Sequence, residues 1–284
     1  MQIGIRLHDV NSGLSASDQT IEARLQKARE EGFSCAHLAL SKCIKGRVFD
    51  DAALTEGLAL YLRRIFREKG LDMALLGCYL NLAHPEPEKL QEIQTRYFGH
   101  LRVASLAGAA IVGTETGAPN AEYKMDSATH GEEALQTFIR NLDPVVECAE
   151  HYGVTMAIEP VWKHIVYNAD RALEVIRSIG SRNLRIIFDP VNLLSFENVD
   201  DRDRIIGDAM DKLCDSIAMV HIKDYVRTEG ELVSVAAGTG EMDYRELLSF
   251  IKARKPCIFS TLENTSNDSA VSSREMIEAL YAEV

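Results

Sequence analysis

No apolar run in this 284-residue chain approaches the ~18 residues that would cross a membrane. The opening, MQIGIRLHDV, enters a strand-like segment directly and lacks the layout of a secretory signal, so a cytoplasmic protein off the membrane is expected. Lys and Arg total 31 against 43 Asp and Glu, and no dense basic stripe interrupts the resulting charge of −12. Nucleic acid is therefore not an expected partner. Cys35, Cys43, Cys78, Cys148, Cys214 and Cys257 are scattered, form no C-x-x-C pair and fall mostly in apolar runs, which predicts buried free thiols. Seven prolines and no low-complexity tract argue against disorder. RLHDVNSGLSASD, after the first strand-like run, contains no G-x-G-x-x-G, which removes the main support for an open doubly wound dinucleotide-binding sheet.

What the chain does have is a 46% hydrophobic composition, enough for a large core, and eight short runs rich in Val, Ile and Leu. These fall at residues 3–7, 35–40, 72–80, 109–113, 154–159, 184–189, 217–222 and 257–263. Between them apolar residues recur three and four apart, as in Ile21, Leu25 and Ala28 or Leu173, Ile176 and Ile179, and this spacing predicts helices. Asp18 and Asn168 are start signals, and Gly70, Gly153 and Gly180 are stops. Eight strand–helix units predict an α/β protein, a (β/α)8 TIM barrel forming one domain over residues 1–284.

A barrel of this kind carries its active site at the carboxyl ends of its strands. Four consecutive runs end there in Glu159, Asp189, His221 and Glu263, spaced by 30, 32 and 42 residues, each consistent with one strand–helix unit. Such groups are costly to bury without a partner, and a shared divalent cation would be one. Three carboxylates and one imidazole favour Mn²⁺, with Mg²⁺, Co²⁺ or Zn²⁺ as alternatives. The long stretch near residues 225–243 is expected to act as a lid over the site.

In AIEP, FDPVN, VHIKD, AAGTGEMDY and the closing TLEN, in that order, the chain resembles the xylose-isomerase-like TIM-barrel superfamily of sugar isomerases and epimerases. The resemblance implies that the quartet binds one divalent ion and that Glu159 and Glu263 also move protons. It implies too a small sugar or sugar-derived substrate and a homodimer or homotetramer. The chemistry is consistent: removing a proton beside a carbonyl builds an enediolate, whose charge a chelating metal stabilises. The chain departs from the ketose 3-epimerases at two places, with Asn192 where they carry a His and Ile165 where they carry a Glu.

Further candidates for substrate contact are His84, Glu115, Trp162, Lys163, Asn192, Lys223 and Arg227, the last six residues beyond His221. For five of them a structural role competes: loop ordering for His84 and Glu115, core or interface packing for Trp162, an ion pair for Lys223, an exposed loop for Arg227. His8 also ends a strand on this face, whereas His37, inside one, is expected in the core. The same ligand set would equally serve a dehydratase of a keto-inositol or sugar acid. Zinc endonucleases of abasic DNA share the barrel but need many more histidines and a basic surface, and a non-catalytic metabolite-binding barrel leaves the quartet unexplained.

Overall fold

The computed structural model describes residues 1–10, 19–44, 48–266 and 269–284. Its strands are β1 (Gln2–Arg6), β2 (Cys35–Leu38), β3 (Asp72–Gly77), β4 (Ile111–Glu115), β5 (Thr155–Glu159), β6 (Leu184–Phe188), β7 (Ile217–Ile222), β8 (Asp224–Thr228), β9 (Glu231–Val235) and β10 (Phe259–Leu262). All but β8 and β9 close into one parallel barrel in the order β1-β10-β7-β6-β5-β4-β3-β2. The helices are α1 (Ile21–Glu30), α2 (Leu40–Cys43), α3 (Glu56–Lys69), α4 (Pro87–Ala107), α5 (Glu132–Tyr152), α6 (Ala169–Ile179), α7 (Arg202–Leu213), α8 (Arg245–Arg254) and α9 (Ala270–Glu283). The fold is thus the single-domain α/β TIM barrel read from the alternation of runs.

Local chemistry sets the element ends. The Asn168 side chain accepts from the Arg171 N–H at 3.0 Å and opens α6. At the start of α1 that role falls to Thr20, which accepts from Ala23 at 3.2 Å, while Asp18 lies outside the described residues. Gly70, Gly153 and Gly180 stop their helices as expected. Among the described residues no helix is long and apolar enough to cross a membrane. All six cysteines are free, and four are buried as expected, but Cys257 is exposed and Cys148 half-buried.

Strand parity positions the site. Inside the barrel Cys35, Leu75, Ile111, Ala157, Ile187 and Met219 pack as one layer. The crowding is such that a Cβ on Gly113 would meet Ile187 Cδ1 at 2.5 Å and Leu75 Cδ1 at 2.6 Å. Side chains two residues further along a strand return to the same face. Glu159, Asp189 and His221 stand two residues beyond Ala157, Ile187 and Met219 and so face the axis just above that apolar floor.

The stretch after β7 is not a plain loop. β8 and β9 form an antiparallel hairpin, and the Asp224 carboxylate fastens its base. That buried carboxylate accepts from the N–H groups of Gly238 (3.1 Å), Gly240 (3.0 Å) and Met242 (2.8 Å), tying β8 to the GTG turn. Hydrogen bonds to an ionised group contribute about 1.5–3 kcal/mol, so Asp224→Ala, which leaves these donors without an acceptor, should cost on the order of 3 kcal/mol. A fall in the thermal midpoint of roughly 6–10 °C is expected; a midpoint within about 1 °C of wild type would contradict this account of the hairpin base.

Candidate active site

The mouth of the barrel at the carboxyl ends of the strands encloses a cavity of about 300 Å³. The residues that line it are polar or charged. Glu115, Glu159, Asn192, Lys223 and Glu263 reach it from the later strands, and Arg6, His8, His37, Lys42 and Tyr79 from the earlier ones. Asp189 and His221, at 1% and 0% exposure, lie beneath the lining and out of solvent.

The four strand-end residues converge. His221 Nδ1 lies 3.2 Å from Glu159 Oε1 and 3.4 Å from Glu263 Oε1. Asp189 receives the N–H groups of Val191 (3.0 Å) and Asn192 (3.1 Å) on Oδ1, which aims Oδ2 at Lys223 Nζ, 2.8 Å away. Asn192 spans two of these groups: Nδ2 donates to Glu159 Oε1 at 2.6 Å, and Oδ1 accepts from Lys223 Nζ at 2.7 Å. Lys223 thus makes the ion pair expected as its structural role and also lines the cavity.

Electrostatics follow from crowding charges into a dry place. Burial alone would lower the His221 imidazole, but the Glu263 and Glu159 carboxylates outweigh it and push it up to about 9. Burial would raise Glu263, yet His221, His37, Lys223 and Arg6 hold it well below the usual carboxylate range. Glu159 is also lowered, its burial outweighed chiefly by His221. Asp189 goes the other way: burial raises it more than Lys223 lowers it. Glu115, pushed up to about 7 by burial and then by Glu159 and Glu263, stands apart from the cluster, with its Oε2 3.5 Å from the Tyr123 hydroxyl.

The residues present fit a divalent cation. Ligands held at ~2.1 Å from one ion lie ~3 Å from one another, and the His221–Glu159 and His221–Glu263 separations are of that size. Glu159, Asp189 and His221 each offer a ligand atom within 4.8 Å of the others, and so do His37, His221 and Glu263.

Several expected contacts fall elsewhere. His84 lies outside the cavity lining: β3 stops at Gly77, and His84 Nδ1 accepts from the Glu86 N–H at 3.2 Å, ordering the entry to α4. Trp162 and Lys163 line a separate groove with Phe196 and Leu232, because the chain turns outward after Glu159 and the Trp162 N–H donates to the Asn192 carbonyl at 2.7 Å. Arg227 is held on the hairpin by Asp200 (2.6 Å) and Glu241 (3.1 Å), away from the cavity. Ile165 is fully buried. His37 is buried as expected but faces the cavity, not the apolar core. Arg6, Lys42 and Tyr79 went unnoticed in the sequence. Parity was the available signal for His37 and Tyr79, which stand two and four residues beyond Cys35 and Leu75 of the interior layer.

Comparison with known proteins places this geometry in context. Over 161 residues, 56% of this chain and 50% of that protein, the chain is 28% identical to the probable L-ribulose-5-phosphate 3-epimerase UlaE of Mycoplasma pneumoniae. The match thus spans half the length of that curated relative. An L-ribulose 3-epimerase structure superposes with a TM-score of 0.75 at 17% identity, covering 100% of this chain and 95% of that one. A structure of the IOLI protein with a bound zinc atom gives 0.73 at 15% identity, covering 100% and 99%. A family model described as xylose isomerase-like TIM barrel matches residues 25–282. With that match over nearly its whole length, the chain belongs to the xylose isomerase-like TIM barrel family.

Proposed function

We propose that the protein is a divalent-metal-dependent isomerase or epimerase of a small sugar, ketose or related carbonyl compound. The observation that carries this reading is the placement of Glu159 and Glu263 on either side of His221, 3.2 and 3.4 Å from its Nδ1, at the cavity floor. A divalent cation held by Glu159, Asp189, His221 and Glu263 would supply the positive charge that a developing enediolate requires. Mn²⁺ is the ion this donor set favours.

The chain's own groups supply the proton transfers. Glu159 and Glu263 are both held in the ionised form, the state in which a carboxylate accepts a proton. One takes the proton beside the carbonyl and, now a carboxylic acid, returns it to the adjacent carbon; for delivery to the opposite face, the other must first take up a proton from solvent. Asn192 fixes the Glu159 carboxylate at 2.6 Å, and Arg6 Nη1 stands 3.2 Å from Glu263 Oε2, so each base keeps one orientation. The cavity, near the lower end of the ~300–1,000 Å³ usual for ligand pockets, suits a small molecule. Its polar lining suits hydroxyl groups, and the relatives named above support a sugar.

Two outcomes are expected. Chelation with EDTA should abolish activity and added Mn²⁺ or Co²⁺ should restore it, whereas full activity in metal-stripped protein would exclude this scheme. In D₂O, with a panel of ketoses, aldoses and their phosphates as probes, wild type should place deuterium on the substrate carbon. Glu159→Gln and Glu263→Gln should each lower that exchange about 10²-fold or more while Glu263→Gln retains much of the metal binding. Unchanged exchange in either variant would remove that glutamate from the proton transfer.

A further inference from the structure

His37 lies outside the four-residue set, yet its geometry is that of a metal ligand. Its ring is parallel to that of His221, with 5° between planes and 5.7 Å between centroids. Nδ1 is buried without a hydrogen-bond partner and stands 3.7 Å from Glu263 Oε1. That distance exceeds the ~2.7–3.2 Å of an N–H···O hydrogen bond, but it is a spacing that two ligands of one ion adopt. His37, His221 and Glu263 offer ligand atoms within 4.8 Å of one another, and this group shares His221 with the group of Glu159, Asp189 and His221.

The far side of the ring is held as well. His37 Nε2 lies 3.0 Å from the Tyr79 hydroxyl. The absence of a side chain at Gly77 makes room for this pair, since a Cβ there would come within 2.6 Å of Tyr79 Cε2 and 2.9 Å of His37 Nε2. An imidazole with one nitrogen facing a carboxylate cluster and the other fixed by an outer hydrogen bond is the arrangement in which histidine binds metals, because the outer partner sets tautomer and ring orientation.

We infer that His37 is a fifth protein ligand of the cation held by Glu159, Asp189, His221 and Glu263, bound through Nδ1 while its Nε2–H donates to Tyr79. The inference rests on the metal-dependent reading proposed above and sharpens it. Two imidazoles beside three carboxylates move the preference from Mg²⁺ and Mn²⁺ towards Zn²⁺ and Co²⁺.

X-ray absorption on zinc-loaded wild type counts the imidazoles directly, with no variant that must fold. Two imidazoles are expected, and one would overturn the assignment. Competition with a chromophoric chelator gives a second reading. Loss of an outer-shell partner weakens binding about 10–100-fold, so His37→Gln, which loses a ligand, should weaken Zn²⁺ at least about tenfold while Mg²⁺ stays within about twofold. Tyr79→Phe should weaken Zn²⁺ less than His37→Gln does. Zn²⁺ affinity unchanged in His37→Gln, or lost in equal proportion with Mg²⁺, would overturn the assignment. A wild type that binds no divalent ion would remove the four-residue reading too, an outcome distinct from a wild type that binds through one imidazole.

Discussion

Three carboxylates, those of Glu159, Asp189 and Glu263, are buried at one end of a barrel whose floor is hydrocarbon, and they need positive charge beside them. The chain supplies His221, Lys223 and Arg6 from within, each close to one or more of the three. This constraint shapes much of the mouth. Asn192 bridges a carboxylate and an ammonium, the Asp189 loop folds back on its own carboxylate through two backbone N–H groups, and Glu115 is pushed up to about 7 by burial and the charges already present. A cluster of this kind serves poorly as a stabilising device, since ion pairs in a dry interior roughly repay their own desolvation. Its position at the carboxyl ends of the strands, where TIM barrels carry their active sites, is consistent with the proposed role in chemistry instead.

Much of this was legible in the sequence because burial on both faces leaves a continuous apolar signature. The run VTMAIE reads as a strand without any tertiary information, and β5 is found at Thr155–Glu159 within it. The ends of such runs were legible too, which is why Glu159, Asp189, His221 and Glu263 could be grouped before any geometry was known. Residues further along the loops were not. Trp162 follows Glu159 by three positions, but where it points depends on the bond between its N–H and the Asn192 carbonyl, a contact from the turn after β6. Arg227 sits six residues beyond His221, yet the pairing of β8 with β9 leaves it between Asp200 and Glu241. His37 was misjudged for another reason. A histidine inside a strand looks like a core residue until one knows that Cys35, two positions earlier, faces the barrel axis.

The seventh loop shows how the same sequence feature admits two physical readings. A long glycine-bearing stretch suggests a lid, and the structure shows that it is built as a hairpin fastened by Asp224 at its base and by the ion pairs of Arg227 along its edge. The cavity has a volume of about 300 Å³ and polar or charged residues along its walls. Of the two departures from the ketose 3-epimerases, Asn192, at the position of a histidine, lies in those walls and reaches both Glu159 and Lys223, whereas Ile165 is buried outside the lining.

The central claim, one divalent cation on four strand-end side chains, is tested most directly by calorimetric titration of metal-free protein with Mn²⁺. One equivalent per chain should bind to wild type, and that binding should be lost in Asp189→Ala and in His221→Ala with the barrel still folded by circular dichroism. No saturable binding to wild type, or undiminished binding in both variants, would contradict it.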